Sequence, residues 1–164
     1  MPVNLELKIK TYSHVPIIKI LKKHKVKEIG ELKQKDIYYS YKKGLLKLRI
    51  ENGSFYLIKY LRDEVKKRWS NYEILKLEGK NPEKYLSTLF NTEVVVKKVR
   101  RLFINKNTRI HLDKVEGLGD FLELETVVRE DKRKASKEFK EVVELLKLDL
   151  SKQINASYKN LLTK

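Results

Sequence analysis

The sequence predicts an α+β fold, a closed eight-stranded antiparallel β-barrel sheathed by helices. Three observations carry this prediction: apolar and charged residues alternate with a period of two, the links between the alternating segments are short, and a few helical segments carry an apolar stripe. The 164 residues include no Cys and no apolar run long enough to cross a membrane. We therefore expect a single domain over residues 1–164, with neither a disulfide scaffold nor a membrane-spanning helix.

The strand-like segments place aliphatic residues on one face and charged residues on the other. Residues 3–10 show this first, with aliphatic residues at odd positions and polar or charged residues at even positions. The alternation recurs in residues 46–51, 94–103, 108–113 and 121–125. Strand-like runs rich in Tyr, Ile and Leu occur in residues 34–40, 55–62 and 68–77. Asn52-Gly53, between two of these runs, is a strong hairpin signal.

Four segments have helical character instead: residues 13–24, 81–89, 131–146 and about 151–162. In the third of them, Ala135, Phe139 and Val142 recur with the helical period and form a core-facing stripe. The helices need an apolar surface to pack against, and the aliphatic strand faces provide one. If the sheet closes with its aliphatic face outward, the charged face must line the interior of the barrel.

The charge of the chain points to an anionic partner. There are 38 Lys and Arg against 22 Asp and Glu, a formal net charge of +16, which also fits a heavily solvated Lys- and Glu-rich surface. Charges inside a barrel would repel one another unless an anion and metal ions neutralise them. A Lys- and Arg-rich interior with a few carboxylates therefore suits a polyphosphate together with Mg²⁺ or Mn²⁺.

The composition excludes some other classes of protein. Without Cys, thiol catalysis and thiolate zinc sites are excluded. The start of the chain lacks the charged and apolar regions of a signal peptide, so we expect a cytoplasmic protein that does not bind membranes.

A series of motifs runs along nearly the whole chain. Their positions are residues 4–10 (Asn-Leu-Glu-Leu-Lys-Ile-Lys), 34–38 (Gln-Lys-Asp-Ile-Tyr), 46–50 (Leu-Lys-Leu-Arg-Ile), 56–62, 68–73, 96–100 and 111–125. The last, His-Leu-Asp-Lys-Val-Glu-Gly-Leu-Gly-Asp-Phe-Leu-Glu-Leu-Glu, is the most specific. In this order the series resembles the CYTH domain, or triphosphate tunnel metalloenzyme, superfamily, which contains tripolyphosphatases, thiamine triphosphatases and class IV adenylyl cyclases.

The resemblance implies a triphosphate tunnel inside the barrel and a divalent-metal-dependent triphosphatase. Its substrate would be inorganic tripolyphosphate or an organic triphosphate, such as thiamine triphosphate or a nucleoside triphosphate. One alternative is a class IV-type adenylyl cyclase that makes cyclic AMP and pyrophosphate from ATP. The other is a non-catalytic module that binds RNA or another polyanion. Inward carboxylates argue against that module, so nucleic acid is not the expected partner; a homodimer is compatible with the sequence.

The resemblance also assigns roles to individual residues. Eight cationic side chains would bind the phosphate groups: Lys8, Lys10, Arg49, Lys59, Arg62, Lys98, Arg100 and Arg109. Four carboxylates would hold one or two Mg²⁺ or Mn²⁺ ions: Glu6, Asp113, Glu123 and Glu125. Lys10, in its neutral form, and Glu73 are the candidate catalytic bases.

A few positions depart from this assignment or stay outside it. Asn4 stands where the family has its first Glu, and an amide oxygen brings no charge, so we expect weaker binding of the metal. Lys47 alternates with the inward set but is left out, because strand ends often project such a side chain into solvent. His111 faces inward by alternation and is also left out. Residues 63–67 are expected to form a loop that acts as a lid.

Overall fold

The structure is a computed structural model that describes residues 3–62 and 69–164, without the side chains of Arg62 and Trp69. Within these residues the strands are β1 (Val3–Thr11), β2 (Lys27–Tyr39), β3 (Leu45–Glu51), β4 (Ser54–Arg62), β5 (Trp69–Leu77), β6 (Thr92–Asn105), β7 (Thr108–Val115) and β8 (Gly119–Val127). The helices are α1 (Val15–Lys23), α2 (Pro82–Leu89), α3 (Lys132–Leu145) and α4 (Tyr158–Leu162), with a 3-10 turn at Leu150–Lys152.

The strands close into a barrel in the order β1-β5-β4-β3-β2-β6-β7-β8, and every neighbouring pair is antiparallel. The predicted closed eight-stranded antiparallel barrel is thus confirmed. β2 begins at Lys27, earlier than the sequence suggested, and a β-bulge between Glu28 and Gly30 accommodates this extension. The helix predicted over about 151–162 is shorter, because Ser157 caps a new helix by accepting a hydrogen bond from the Asn160 amide.

The aliphatic strand faces point outward and form the apolar core together with the helices. The largest cluster joins alternate residues of β1, β7 and β8, such as Leu7 and Leu122, to Leu21 of α1 and Phe139 and Val142 of α3. A second cluster packs β2 and β3 against Leu86 of α2. Because these clusters occupy the outer face, the alternating polar residues of the same strands face the barrel interior.

A third cluster closes one end of the barrel. Tyr158 of α4 packs edge-on against Phe121 of β8, with ring centroids 5.1 Å apart, and Tyr38, Val96 and Val115 surround them. The C-terminal segment is also tied to β1, where the Ile154 amide donates to the Lys8 carbonyl oxygen. The interior is therefore a pocket with a floor at this end.

In the described ranges, 3–62 and 69–164, no helix has the length and apolar character that a membrane crossing requires.

The glycine between β2 and β3 occupies a position where a side chain would clash with the backbone, and this can be tested. Gly44 has φ +127°, and a Cβ there would lie 2.6 Å from the Tyr60 carbonyl oxygen; Gly53 has φ +78° and open space around it. We expect Gly44→Ala to lower the free energy of unfolding by roughly 1–3 kcal/mol from backbone conformation alone, with a further loss from the clash. Gly53→Ala, the matched control, should lose less in urea unfolding. Equal losses would contradict the close approach at Gly44.

Candidate functional site

A cavity of about 380 Å³ lies inside the barrel and is lined by side chains from all eight strands and from the C-terminal segment. The charged members of the lining are Glu6, Lys8, Lys47, Arg49, Glu51, Lys98, Arg100, Arg109, Glu123 and Glu125. Tyr158 forms part of its floor. The cavity thus brings together seven of the nine predicted phosphate-binding or metal-binding positions on β1, β6, β7 and β8, with Arg49 added from β3.

Asp36 is the centre of the first group of charges. It is completely buried, and its carboxylate accepts two hydrogen bonds from Arg49, from Nε and Nη2, each at 2.8 Å. Lys47 donates to Oδ2 at 2.8 Å, and Lys98 Nζ lies 3.5 Å from the same oxygen. Burial alone would raise the pKa of Asp36, but these cations outweigh it and hold the pKa well below its ordinary value. One buried anion therefore orients three cations along the cavity wall.

Asp113 orients Arg100 in the same way. Arg100 donates from Nε to Oδ1 and from Nη2 to Oδ2, both at 2.7 Å, and the Tyr158 hydroxyl donates to Oδ2 at 2.9 Å. Asp113 is completely buried behind the lining. The structure thus places Asp113 behind the lining as the anchor of Arg100, and its role as a metal ligand stays a prediction.

Lys8 and Lys98 lie over the floor of the cavity. Their ammonium groups are 4.1 Å and 5.0 Å from the Tyr158 ring centroid, and Lys8 donates to the Ala156 carbonyl oxygen at 2.9 Å. Burial, with the positive charge of Arg100, lowers the pKa of Lys98 to about 7. Lys98 is therefore only partly protonated at neutral pH when no anion is bound.

The carboxylates of β1 and β8 share one wall. In the strand register Glu6 lies opposite Glu125, and Lys8 lies opposite Glu123. Glu125 accepts a hydrogen bond from Arg109 at 2.9 Å. Glu6 accepts one from Ser70 at 2.7 Å and another from Tyr60.

Glu123 stays ionised in this setting. Burial alone would raise its pKa, but Lys8 and Arg100 outweigh burial and lower the pKa to about 2. The wall formed by β1 and β8 therefore carries the Glu123 carboxylate in its charged form at neutral pH.

The oxygen donors of this wall fit a hard divalent cation. Glu6 and Glu125 are neighbours, and the amide oxygen of Asn4, which is 2% exposed, lines the cavity without a hydrogen-bond partner. Mg²⁺ is commonly held by one or two carboxylates, while waters and substrate phosphates complete its coordination. Within residues 3–62 and 69–164 no three His, Asp or Glu side chains form a closed metal site. This donor set thus fits a metal whose remaining ligands come from the substrate.

The wall formed by β4 and β5 has a different chemistry. Among the described side chains, those that β4 and β5 contribute to the lining are all uncharged: Tyr56, Ile58, Tyr60, Tyr72 and Ile74. Ile74 is 50% exposed although it lines the cavity, which places it at the open end. The interior is thus divided into a charged part and a neutral part with aromatic rings.

Besides Asp113, three predicted site residues in the described part of the chain do not line the cavity. Lys59 and Glu73 form an ion pair at 2.7 Å on the outer face of β4 and β5, so the expectation that they face inward is wrong. Lys10 follows the inward alternation of β1, but it is exposed beside Phe121, 5.8 Å from the ring centroid, beyond the end that Tyr158 closes. The structure therefore separates both candidate bases, Lys10 and Glu73, from the cavity. The side chain of Arg62, Arg68 and the predicted lid at 63–67 lie outside the described residues.

Sequence reasoning also missed three residues of the site. Lys47 lines the cavity, and Asp36 anchors it from behind. His111 lines the cavity, and its buried Nδ1 has no hydrogen-bond partner. Burial, with Arg100, keeps its pKa well below the ordinary value, so the ring is neutral at pH 7. Alternation along β3 and β7 already indicated that Lys47 and His111 face inward, whereas no sequence pattern distinguished Asp36.

Comparison with known proteins identifies the family. The CYTH domain profile matches residues 3–158. A Methanocaldococcus jannaschii protein named as a putative adenylate cyclase is 26% identical over 172 residues, which cover 95% of this chain and 96% of that protein. The PH1012 protein of Pyrococcus horikoshii OT3 superposes with a TM-score of 0.82 at 24% identity, over 96% of this chain and 98% of that one.

A plant protein shares the fold at lower identity. The structure of a Hippeastrum protein, described as a putative adenylyl cyclase with a dominant triphosphatase activity, has a TM-score of 0.67 at 15% identity, over 96% of this chain and 93% of that one. Members of the family act on triphosphates, as triphosphatases or cyclases, and in general depend on a divalent metal. Because the profile matches nearly the whole chain and the barrel has the same form, this chain belongs to the CYTH domain family.

Proposed function

We propose that the chain is a divalent-metal-dependent triphosphatase that hydrolyses inorganic tripolyphosphate or, with better support from the cavity, an organic triphosphate. The observation that carries the proposal is the pair of arginines, Arg49 and Arg100, each held by a buried carboxylate at the wall of the cavity. Each uses Nε and Nη2 for its anchor, and Nη2 of Arg100 also lies 3.7 Å from Glu123 Oε1. The Nη1 group of each arginine could therefore donate to phosphoryl oxygens. Such a planar donor is suited to engaging two phosphoryl oxygens.

The charges of the cavity explain why a metal is needed. Among the described residues, six cations line it: Lys8, Lys47, Arg49, Lys98, Arg100 and Arg109. Six carboxylates lie in the lining or directly behind it: Glu6, Asp36, Glu51, Asp113, Glu123 and Glu125. The two sets balance, so the negative charge of a triphosphate remains uncompensated by the protein. Glu6 and Glu125, with the Asn4 oxygen, would hold Mg²⁺ or Mn²⁺, and the metal would supply that positive charge.

The protein groups would orient the triphosphate chain and stabilise charge as it develops. Arg49, Lys47 and Lys98 contact one part of the chain, and Arg100 and Lys8 contact another, near the floor. Since each cation is already positioned by a carboxylate or a ring, little reorganisation is required when charge builds up on the transferred phosphoryl group. We assign no general base, because Lys10 and Glu73 lie outside the cavity.

The neutral wall favours an organic substrate. Tyr56, Tyr72 and Ile74 could not bind phosphate as a cation would, but they offer a surface against which a flat heteroaromatic group packs. The Hippeastrum protein is named as a putative adenylyl cyclase but is described as having a dominant triphosphatase activity. This supports hydrolysis as the first choice over cyclisation. The name of the Methanocaldococcus jannaschii protein supports cyclic AMP formation as the second.

A product analysis tests the proposal. The purified protein is incubated with tripolyphosphate, thiamine triphosphate, ATP or GTP and with Mg²⁺ or Mn²⁺, and phosphate, pyrophosphate and cyclic AMP are quantified. We expect phosphate release that stops in EDTA. Glu125→Gln should lower kcat/KM by roughly 10- to 100-fold and raise the metal concentration required.

Glu144→Gln, at an exposed position of α3, is the matched control and should behave like the unchanged protein. Unaltered turnover in Glu125→Gln would refute the metal assignment. Formation of cyclic AMP from ATP would show that the protein is a cyclase and not a triphosphatase. If no triphosphate is turned over, both proposed activities are wrong.

Two lysines can test whether the structure or the sequence resemblance identifies the phosphate-binding residues correctly. Lys47 lines the cavity, whereas Lys59 is on the outer face. We expect Lys47→Met to lower kcat/KM for the preferred triphosphate by about 10- to 150-fold, the loss of a hydrogen bond to a charged group. Lys59→Met should stay within about twofold of the unchanged protein. Thermal unfolding checks that both variants fold, and the reverse order of effects would contradict the orientation of β4.

The pKa of Lys98 predicts how binding depends on pH. An anion binds the protonated lysine, so it raises the pKa of about 7 that burial and Arg100 impose. Below pH 7 Lys98 is already charged and contributes fully. Above pH 7 binding must take up a proton, so affinity should fall by up to about tenfold per pH unit until the pKa of the complex is reached.

Calorimetric titration with tripolyphosphate in EDTA, between pH 7 and pH 9, measures this decline. Two buffers of different ionisation enthalpy report the proton uptake. Lys98→Met should bind more weakly and lose this proton uptake, which separates Lys98 from Lys47, whose pKa is also lowered by burial. A pH profile identical in Lys98→Met and the unchanged protein would show that Lys98 is not the titrating group.

A further inference from the structure

The excess positive charge of the chain lies outside the cavity. The formal net charge is +16, yet the six cations and six carboxylates of the cavity balance. The side chain of Arg62 and residues 63–68 account for only a small part of the excess. The rest is on the described outer surface, where it has no role in holding a triphosphate.

Part of this charge is concentrated on the outer wall of the barrel. A groove of about 590 Å³ there is bordered by Lys98, which also lines the cavity, and by four outward-facing lysines from three adjacent strands: Lys33 and Lys35 of β2, Lys97 of β6 and Lys114 of β7. We call these four residues the lysine face. Lys33, Lys97 and Lys114 are exposed and form no ion pair with any described residue, while Lys35 pairs with Glu83 at 2.8 Å.

The arrangement of the lysine face costs stability. Lys35 and Lys97 are direct register partners on β2 and β6, and like charges in such positions repel. Lys33 and Lys114 flank Val99 from the two neighbouring strands. The acidic residues of the groove are Glu116, which follows β7, and Asp120, the register partner of Lys114 on β8. Neither forms an ion pair with a lysine of the face in the described part of the chain. The repulsion would be relieved by an external anion that spans several strands.

We propose that the lysine face binds the phosphate backbone of a nucleic acid, a function separate from triphosphate hydrolysis. Adjacent strands are about 4.8 Å apart and alternate residues of a strand roughly 6.7 Å apart, so the four ammonium groups cover an area wider than one phosphate group. A row of phosphates matches this spread. This inference replaces the expectation, drawn from the inward carboxylates, that nucleic acid is not a partner.

Other anions fit the lysine face less well. A small phosphate compound is usually recognised by buried donors or an arginine fork, whereas the three unpaired cations here are exposed lysines. A membrane-bound surface would add large exposed apolar side chains to insert, and the only apolar residues bordering this groove are Ile50, Val99 and Val115, none of which is exposed. Exposed lysines on a sheet are suited to sequence-independent, salt-sensitive backbone contacts.

The test measures binding of a 3′-labelled, 5′-hydroxyl RNA 20-mer by fluorescence anisotropy in EDTA, from 50 to 300 mM KCl. The variant carries Lys33→Gln, Lys97→Gln and Lys114→Gln. We expect it to bind at least tenfold more weakly at low salt, with a slope of log affinity against log salt smaller by about two, as expected for three lost contacts to a single strand.

Three comparisons make the result specific. Arg133→Gln, Lys137→Gln and Lys140→Gln remove the same charge from exposed positions of α3 and should lose less than threefold. Lys47→Met, inside the cavity, should bind RNA normally. Equal loss in the α3 variant, a loss in Lys47→Met, or binding to anionic vesicles but not to RNA would each overturn the proposal. Catalytic assays of the two triple variants, on the lysine face and on α3, should be unaffected, whichever triphosphate is the substrate.

Discussion

The buried arginine–carboxylate pairs inside the barrel are the interaction on which the rest of the structure depends. Asp36 and Arg49 are direct register partners on β2 and β3, and Arg100 and Asp113 are direct partners on β6 and β7. A buried charge without its partner is strongly destabilising, so each pair must form if the barrel is to close. A slip of one residue would turn every charged side chain of a strand into the apolar core. The register of the barrel and the geometry of the site are therefore set by the same contacts.

This constraint explains the inverted distribution of polarity. In most small proteins the interior of a sheet is apolar, but here the apolar core lies between the barrel and its helices, and the interior holds the charges. Tyr158 closes one end of that interior and also donates to Asp113. The C-terminal segment thus has two roles: it closes the floor of the cavity and donates a hydrogen bond to the anchor of Arg100.

Sequence periodicity predicted the barrel and most of its interior because strands with one aliphatic face have a defined orientation. It failed at β4, where Leu57 packs in the outer core and Ile58 lines the cavity, so apolar residues on both faces leave the orientation of Lys59 undefined. Lys10 has the expected orientation, but alternation does not show where the plug at Tyr158 ends the cavity. Asp36 was overlooked because an anchoring residue behind the lining has no distinctive pattern; its importance comes from partners on β3 and β6.

The separation of charge between interior and exterior has a physical consequence for any triphosphate that binds. A balanced interior gives little net attraction, so selectivity must come from the fixed positions of Arg49 and Arg100 and from the charge that a metal adds. The positive exterior produces a long-range field that concentrates anions near the protein and accelerates their encounter with it. Salt screens that field over about 8–10 Å, whereas buried pairs are screened much less. The outer charges thus speed association, and the inner charges provide recognition. Only the outer charges can change without disturbing the register of the barrel.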